Sequence, residues 1–520
     1  MNTKTALASS LTLIKALSEA HACNLIETHI SWVLLTGPYA YKIKKPVNFG
    51  FLDFSTLAKR RFCCDEELRL NRRLAAELYL DVVPITGTPD RPVIGGAGAA
   101  IEYAVKMVRF ASGQLLSEHV KQDRLSPDII DSLADVVAGF HQSIEQSTEN
   151  SCYGDSANIK HWFNENFDHI GPLLSDAGQH RQLQNIRDWG DNEWHRQAEL
   201  MALRKRQGFV RECHGDLHLG NMTLIGGRVI LFDCIEFNPL LRWIDVISET
   251  AFLFIDLLYF GYSHLAYRFL NRYVQHTGDY QGLALLRYYL VYRALVRAKV
   301  ALLRGAQQPD GDADQARREY SAFAELAEGF TQPRLTALLV THGYSGSGKS
   351  TLAAPLAEHL GAFLIRSDIE RKRLFGYPAL AQTGSGINDG LYSQEAGLKT
   401  YRHLQESAKA VLDAGFPVII DAAFLKTEQR ELFRQLALDC GVAFHIIDVQ
   451  ASDRELCRRI EQRQNDASEA TAAVLHHQRQ SAQPLSAEEL AVVITVDSES
   501  DNALEQLLKG LAGRLNRDTV

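Results

Sequence analysis

Largely apolar runs of four to seven residues recur at Leu335–Thr341, Ala362–Ile365, Pro417–Ile420, Ala443–Val449 and Ala491–Val496, each separated from the next by a segment long enough for a helix. Continuous runs of this length, bounded by glycines and polar residues, predict strands buried on both faces. Strands alternating with helices predict an α/β domain with a parallel five-stranded sheet, placed at 331–520. Upstream the pattern changes. From about 25 to 105, shorter strand-like segments (Ser31–Thr36, Tyr39–Lys44, Val82–Thr86, Ile101–Met107) surround one helix over Phe62–Leu78. From Gln114 onward the spacing is mainly helical, interrupted by Phe209–Cys213 and by Met222–Phe232, where Gly226-Gly227 between two alternating runs predicts a hairpin. The polar stretch Gly305–Asp314, a helical run to about Glu328 and Gln332-Pro333 separate the two halves. The expected organisation is a small mixed lobe at 1–107, a helical lobe at 108–330 and the sheet domain at 331–520.

Composition narrows the classes. In 520 residues, hydrophobic side chains are 46% and charged ones 23%, the balance of a globular chain with material for more than one core. The net charge of −8 argues against non-specific binding to nucleic acid or to an anionic membrane. The eight cysteines contain no C-x-x-C pair, so neither a zinc site nor a disulfide framework is expected, which fits a cytoplasmic protein. Leu7, Leu11, Ile14 and Leu17 recur at helical spacing, but Lys15 and Glu19 interrupt what would be a signal-peptide core. The longest apolar stretch, Thr250–Tyr262, contains Asp256 and is too short to span a bilayer.

Two stretches carry chemistry. Gly343-Tyr-Ser-Gly-Ser-Gly-Lys-Ser350 satisfies G-x-x-x-x-G-K-[ST] between a predicted strand and a predicted helix over Thr351–His359. The loop Gly343, Ser345, Gly346, Ser347 and Gly348 turns backbone N–H groups toward phosphate oxygens. The helix N-terminus at Ser350-Thr351 adds positive partial charge, Lys349 reaches the β- and γ-phosphates, and the Ser350 hydroxyl can ligate Mg²⁺. Asp421, at the end of an apolar strand, can hold the same metal's shell. Asp368 follows another strand and precedes Arg371 by one helical turn. It suits a base for an acceptor hydroxyl, with Arg371 holding the acceptor. Arg459 and Arg463 share a helix face at i,i+4 and can neutralise transferring phosphate; a charged surface helix explains the same letters. These residues together resemble the P-loop small-molecule kinases that include zeta-toxin-like, chloramphenicol phosphotransferase-like and polynucleotide kinase-like proteins.

The second stretch, His214-Gly-Asp-Leu-His-Leu-Gly-Asn221, lies between a predicted strand and a hairpin whose second strand ends at Asp233. Asp216 on a tight turn can orient a hydroxyl, while Asn221 and Asp233 can grip a metal. The pattern H-G-D-x-H-x-x-N resembles the aminoglycoside phosphotransferase-like kinases over about residues 25–300. That resemblance implies a protein-kinase-like α+β bilobal fold, Asp216 as the catalytic aspartate and Asn221 and Asp233 as the Mg²⁺ ligands. His214 and His218 suit loop bracing better than metal binding, since no third ligand accompanies them. The phosphate-binding lysine is expected on the strand Tyr39–Lys44, where Lys42 fits A-x-K best and Lys44 shares its face; its partner is Glu67 or Glu66 on the following helix. No glycine-rich loop precedes that strand, only Thr36-Gly37-Pro38, and Cys234-Ile-Glu236 follows Asp233, with Glu236 a candidate support for the metal. The expectation is two ATP- and Mg²⁺-dependent phosphotransferase modules acting on small-molecule hydroxyl acceptors, with nucleic acid a poor fit.

Overall fold

The computed structural model describes residues 3–21, 23–50, 52–307, 313–379, 381, 383, 390–462 and 467–515. The chain forms two compact units, neither continuous in sequence. The first comprises Met1–Ser132, Gly139–Asp256 and Tyr289–Glu328, and the second Leu133–Ala138, Leu257–Tyr288 and Gly329–Val520. Among the described residues no helix is long and apolar enough to cross a membrane.

The first unit opens with helix α1 (Thr3–His21) and strands β1 (Asn24–Glu27), β2 (Ser31–Thr36) and β3 (Tyr39–Lys44), followed by helix α2 (Leu57–Ala75) and strands β4 (Tyr79–Thr88), β5 (Arg91–Ile94) and β6 (Glu102–Val108). The six strands form one antiparallel sheet in the order β1-β2-β3-β6-β4-β5. Alternation along β3 sorts its side chains: Ile43 joins Trp32, Leu34, Leu13, Ile14 and Leu17 in the core beneath α1. Lys42 and Lys44 face the other way, toward Glu67 of α2. β2 and β3 lie where the apolar pattern places them. β1 and β5 were not expected, for a physical reason: every residue of β1 is exposed, and β5 carries Pro92, which an edge strand tolerates. Helix α2 starts five residues before the expected Phe62, because the Thr56 side chain accepts from Lys59 N and caps a polar first turn.

The larger part of this unit is helical around two short antiparallel ladders. Strand β7 (Val210–Glu212) pairs with β10 (Trp243–Asp245), and β8 (Met222–Ile225) with β9 (Arg228–Leu231). Gly226 and Gly227, at φ 57° and 77°, make the β8–β9 turn, as the two-glycine signal requires.

In the second unit, β11 (Ala337–His342), β12 (Phe363–Arg366), β13 (Val418–Asp421), β14 (Ala443–Gln450) and β15 (Val493–Asp497) form a parallel five-stranded sheet in the order β12-β13-β11-β14-β15. Leu339, Ile419 and Ile447 pack with Leu356 and Leu507 from the helices Lys349–Leu360 and Ala503–Leu515. Gln394–Asp413 and Thr427–Cys440 complete the helical layers. Each strand runs one residue past its apolar run, because the hydrogen-bond ladder continues to the polar residues His342, Arg366, Asp421, Gln450 and Asp497. Helix Ser263–Thr277, which the apolar pattern assigns to the helical lobe at 108–330, packs in this unit beside β12.

Candidate active sites

In the second unit the loop Gly343–Gly348 leaves the C-terminal end of the central strand β11 and enters the helix at Lys349. Gly346 is held at φ 86°, and a Cβ there would lie 2.8 Å from the Leu456 carbonyl oxygen, so a side chain is excluded by both conformation and space. Lys349 Nζ donates to the carbonyls of Gly343 (3.0 Å) and Tyr344 (2.7 Å). Ser350 Oγ donates to Asp421 Oδ2 at 2.5 Å. Burial pushes the Asp421 carboxyl above the ordinary range, against the opposing pull of Arg366, the Ser350 hydroxyl and Lys349. Ser347 Oγ is buried with no hydrogen-bond partner among the described residues.

These groups open onto a cavity of about 480 Å³. Ser345, Gly346, Lys349, Ser350 and Thr351 line one side; Arg366, Asp368 and Arg371 line another. The helix Ser367–Leu374 begins directly after β12, which brings Asp368 to the sheet's C-terminal edge, and Arg371 Nη1 lies 3.5 Å from Asp368 Oδ1. Lys372 instead turns inward to a buried pair with Glu469 (3.1 Å). Arg459 lines the cavity too, bound to Glu455 Oε1 (2.6 Å), the Gly346 carbonyl (3.3 Å) and Ser498 Oγ (2.8 Å). Its expected companion Arg463 lies outside the described residues. The oxygen-only pair Ser350–Asp421, the orphaned Ser347 hydroxyl and the side-chain-free Gly346 fit a hard cation and a phosphate chain.

In the first unit, Lys42 Nζ lies 2.9 Å from Glu67 Oε1 and pairs also with Asp233 Oδ1, while Lys44 Nζ lies 2.7 Å from Glu67 Oε2 and pairs with Glu236. Glu67 therefore joins both lysines. Glu66 is bound instead by Arg69 (2.9 Å) and Arg242 (3.1 Å). Lys42 alone of the two lysines reaches Asp233. Glu236, a candidate metal support by sequence, neutralises fully buried Lys44. Burial opposes ionisation of Glu67, yet the two ammonium groups outweigh it and bring its carboxyl down to about 2. Glu236, buried beside the Glu67 charge, is shifted up instead.

Asn221 Nδ2 donates to Asp216 O (3.0 Å) and Oδ2 (2.9 Å), tying the two ends of the loop together. His218 Nε2 sits 3.3 Å from Asp216 Oδ2, and its Nδ1 accepts from Gly220 N at 3.1 Å. His214 Nε2 bonds the Phe232 carbonyl at 2.8 Å. Both histidines brace the loop. Burial opposes the Asp216 charge, but His218, His214 and Arg297 prevail and hold its pKa below the ordinary range. Asp233 stands at φ 67°, a strained left-handed conformation for a non-glycine residue, held by Tyr79 OH on its N–H (3.1 Å).

An AAA-domain family model matches residues 338–485, the span from β11 through the P-loop to the helix Ala472–Ser481 and just beyond. Over 449 residues, 86% of this chain and 88% of the relative, the sequence is 31% identical to Uncharacterized protein Mb2027c of Mycobacterium bovis, and to the same extent to Uncharacterized protein Rv2004c of Mycobacterium tuberculosis. The chain belongs to their family. An alignment of that length exceeds either compact unit, so this mycobacterial kinship takes in both. Among solved structures, a gluconokinase from Sinorhizobium meliloti is 20% identical, covering 35% of this chain and 96% of that one at a TM-score of 0.27. A Plasmodium vivax ethanolamine kinase is 10% identical, covering 58% and 81% at a TM-score of 0.35.

Three groups around these sites carry no motif letter. Arg366 ends β12 with its Nε 3.5 Å from Asp421 Oδ2; its place one residue past an apolar run was the available signal. Gln478 Oε1 accepts from Ser345 N at 2.9 Å, a contact across 133 positions that spacing does not reveal. Glu249 takes His214 N and Gly215 N on its two oxygens, at 2.6 and 2.8 Å. It lies in the helix Val246–Tyr259, where a carboxylate among apolar neighbours was a sign of a buried task.

Proposed function

We propose that the chain is a two-module phosphotransferase, each module moving the γ-phosphate of ATP to a hydroxyl of a small metabolite such as a sugar or sugar nucleotide. The observation that carries this reading is the second unit's cavity, where a phosphate-binding loop with Lys349, the Ser350–Asp421 pair and Asp368 with Arg371 share one wall system. Lys349 binds the β- and γ-phosphates, Asp368 takes the acceptor hydroxyl's proton, and Arg371 and Arg366 orient the acceptor; Arg459 balances negative charge at the loop. Mg²⁺ held at Ser350 and Asp421 would supply charge neutralisation on the phosphates.

In the first unit Lys42, steadied by Glu67, binds nucleotide phosphate, and Asp216 is the base that accepts the acceptor's proton. Asn221 and Asp233 would hold Mg²⁺. What supports this half of the reading is the convergence of Lys42, Glu67 and Asp233 and, separately, of Asp216 with Asn221. A kinase-like bilobal fold of the aminoglycoside phosphotransferase type is the architecture this arrangement implies. A second reading makes the first unit a nucleotide sensor with weak catalysis; the short turn Thr36-Gly37-Pro38 in place of a glycine-rich loop favours it.

The test is transfer of label from γ-labelled ATP to a metabolite panel by the full chain, by Lys349→Ala and by Asp216→Asn. Each variant is expected to lose one set of labelled products by at least 100-fold and keep the other. Products unchanged in both variants refute the site assignments; ATP binding to the first unit without any Asp216-dependent product selects the sensor reading.

A further inference from the structure

Strand β12 is an edge strand of the second unit's sheet, paired among the described residues on one side only, with β13. An unpaired edge presents backbone donors and acceptors in a row, and proteins cover such edges with another element. Here the cover is the helix Ser263–Thr277, which stands far upstream of β12 in the chain. Its buried Asn271 acts as a piece of the missing strand: Nδ2 donates to Ala362 O at 2.9 Å, and Oδ1 accepts from Leu364 N at 2.7 Å. A primary amide sets N–H donors and a carbonyl acceptor side by side in one plane, so a single side chain satisfies both backbone groups. One turn on, Gln275 Nε2 donates to Leu364 O at 3.3 Å. The Gln275 backbone carbonyl in turn accepts from Arg373, which also pairs with Glu370, a carboxylate buried against His403 Nε2 at 3.0 Å.

One helix thus grips the acceptor flank of the cavity at both ends, at residues 362–364 of the strand and at Arg373 of the helix that follows it. Between the two grips stand Arg366, Ser367, Asp368 and Arg371, all four of which line the cavity. The phosphate loop, in contrast, leaves β11, two strands away. We infer that Asn271 and Gln275 are positioning residues for the acceptor flank of the P-loop site, setting where Arg366, Asp368 and Arg371 stand without touching nucleotide or acceptor. The inference rests on the kinase reading of that cavity. It makes the transfer step of the second unit depend on a helix outside the segment that the AAA-domain model matches.

Full-length Asn271→Leu, which removes both amide contacts, and the milder Gln275→Ala, which removes one, test it. Hydrogen exchange read by mass spectrometry gives the geometry, and the Lys349-dependent share of phosphate release from Mg-ATP gives the chemistry, each variant being compared with its own Lys349→Ala counterpart. In Asn271→Leu, exchange over 362–374 is expected to rise at least tenfold while that over 443–450 and 343–350 stays within threefold. The Lys349-dependent kcat is expected to fall at least tenfold with KM for ATP changed by less than threefold. Gln275→Ala is expected to shift the same readouts in the same direction, less far. Exchange unchanged at 362–374, or raised equally through the whole sheet, overturns the inference. Wild-type phosphate release that does not depend on Lys349 at all refutes the kinase reading, and the exchange pattern then still decides whether the helix sets the flank's geometry.

Discussion

Glu67 answers two lysines with one carboxylate, and its two oxygens are divided between them at 2.9 and 2.7 Å. Removing one partner of a buried ionic cluster leaves the others uncompensated, which costs about 3–5 kcal/mol. Glu67→Gln is therefore expected to destabilise the first unit by that amount in denaturant unfolding. The pH dependence follows from the same contacts. The folded-state pKa is depressed from an ordinary 4.5 to about 2, so the stabilisation is complete above pH 4.5 and is lost as pH falls through that interval. Acid unfolding followed by circular dichroism should steepen between pH 4.5 and 2 in the wild type and flatten in Glu67→Gln; equal slopes would show that the lysines do not govern the carboxyl. The choice between Lys42 and Lys44 was open from the sequence because both share one face of a strand. In the fold both lysines meet Glu67, and Lys42 meets Asp233 as well, 191 positions away.

At the scale of elements, strands buried on both faces announce themselves, and so all five strands of the parallel sheet were legible, as was the glycine hairpin. The elements that escaped are those whose information is not apolar. β1 shows no burial pattern to read, and α2 owes its first turn to a threonine cap. Among site residues, those on a motif's own short loop were legible, since spacing along a loop is spacing in space. Glu249, Gln478 and Arg366 were not, because each meets its partner only once distant segments have folded together. Glu249 has a measurable role. Its carboxylate holds two successive N–H groups of the 214–221 loop, and a hydrogen bond to a charged acceptor is worth about 1.5–3 kcal/mol. Glu249→Gln, which keeps the shape and removes the charge, should lose about that much stability and at least tenfold of the transfer proposed for Asp216, read by denaturation and by label incorporation. Full activity in this variant would show that the loop keeps its shape unaided.

For the whole molecule, the two units interleave along the chain, since 257–288 belongs with the second and Tyr289–Glu328 with the first. A cut after residue 330, the boundary that the apolar pattern suggests, strips β12 of its cover and leaves Ala362 O and Leu364 N without their amide partner. A fragment of 331–520 is expected to self-associate through that edge in light scattering, and a peptide of residues 257–288 added in excess to suppress the association. Self-association that the peptide leaves unchanged would mean that the edge needs no cover. Arg366 and Asp368 follow β12 directly in sequence, but the helix whose Asn271 meets that strand arrives from about ninety positions earlier.

The same interleaving orders events on the ribosome. As the nascent chain emerges, Ser263–Thr277 is made before any strand of the parallel sheet exists, so Asn271 and its apolar neighbours leave the exit tunnel before the strand edge they cover has been made. The first unit, for its part, waits for Tyr289–Glu328 before it can close. Neither unit can finish while the other has not begun, and during translation of the intervening stretch the cell holds a half-built protein with a sticky helix exposed, the moment at which a holding chaperone would matter most.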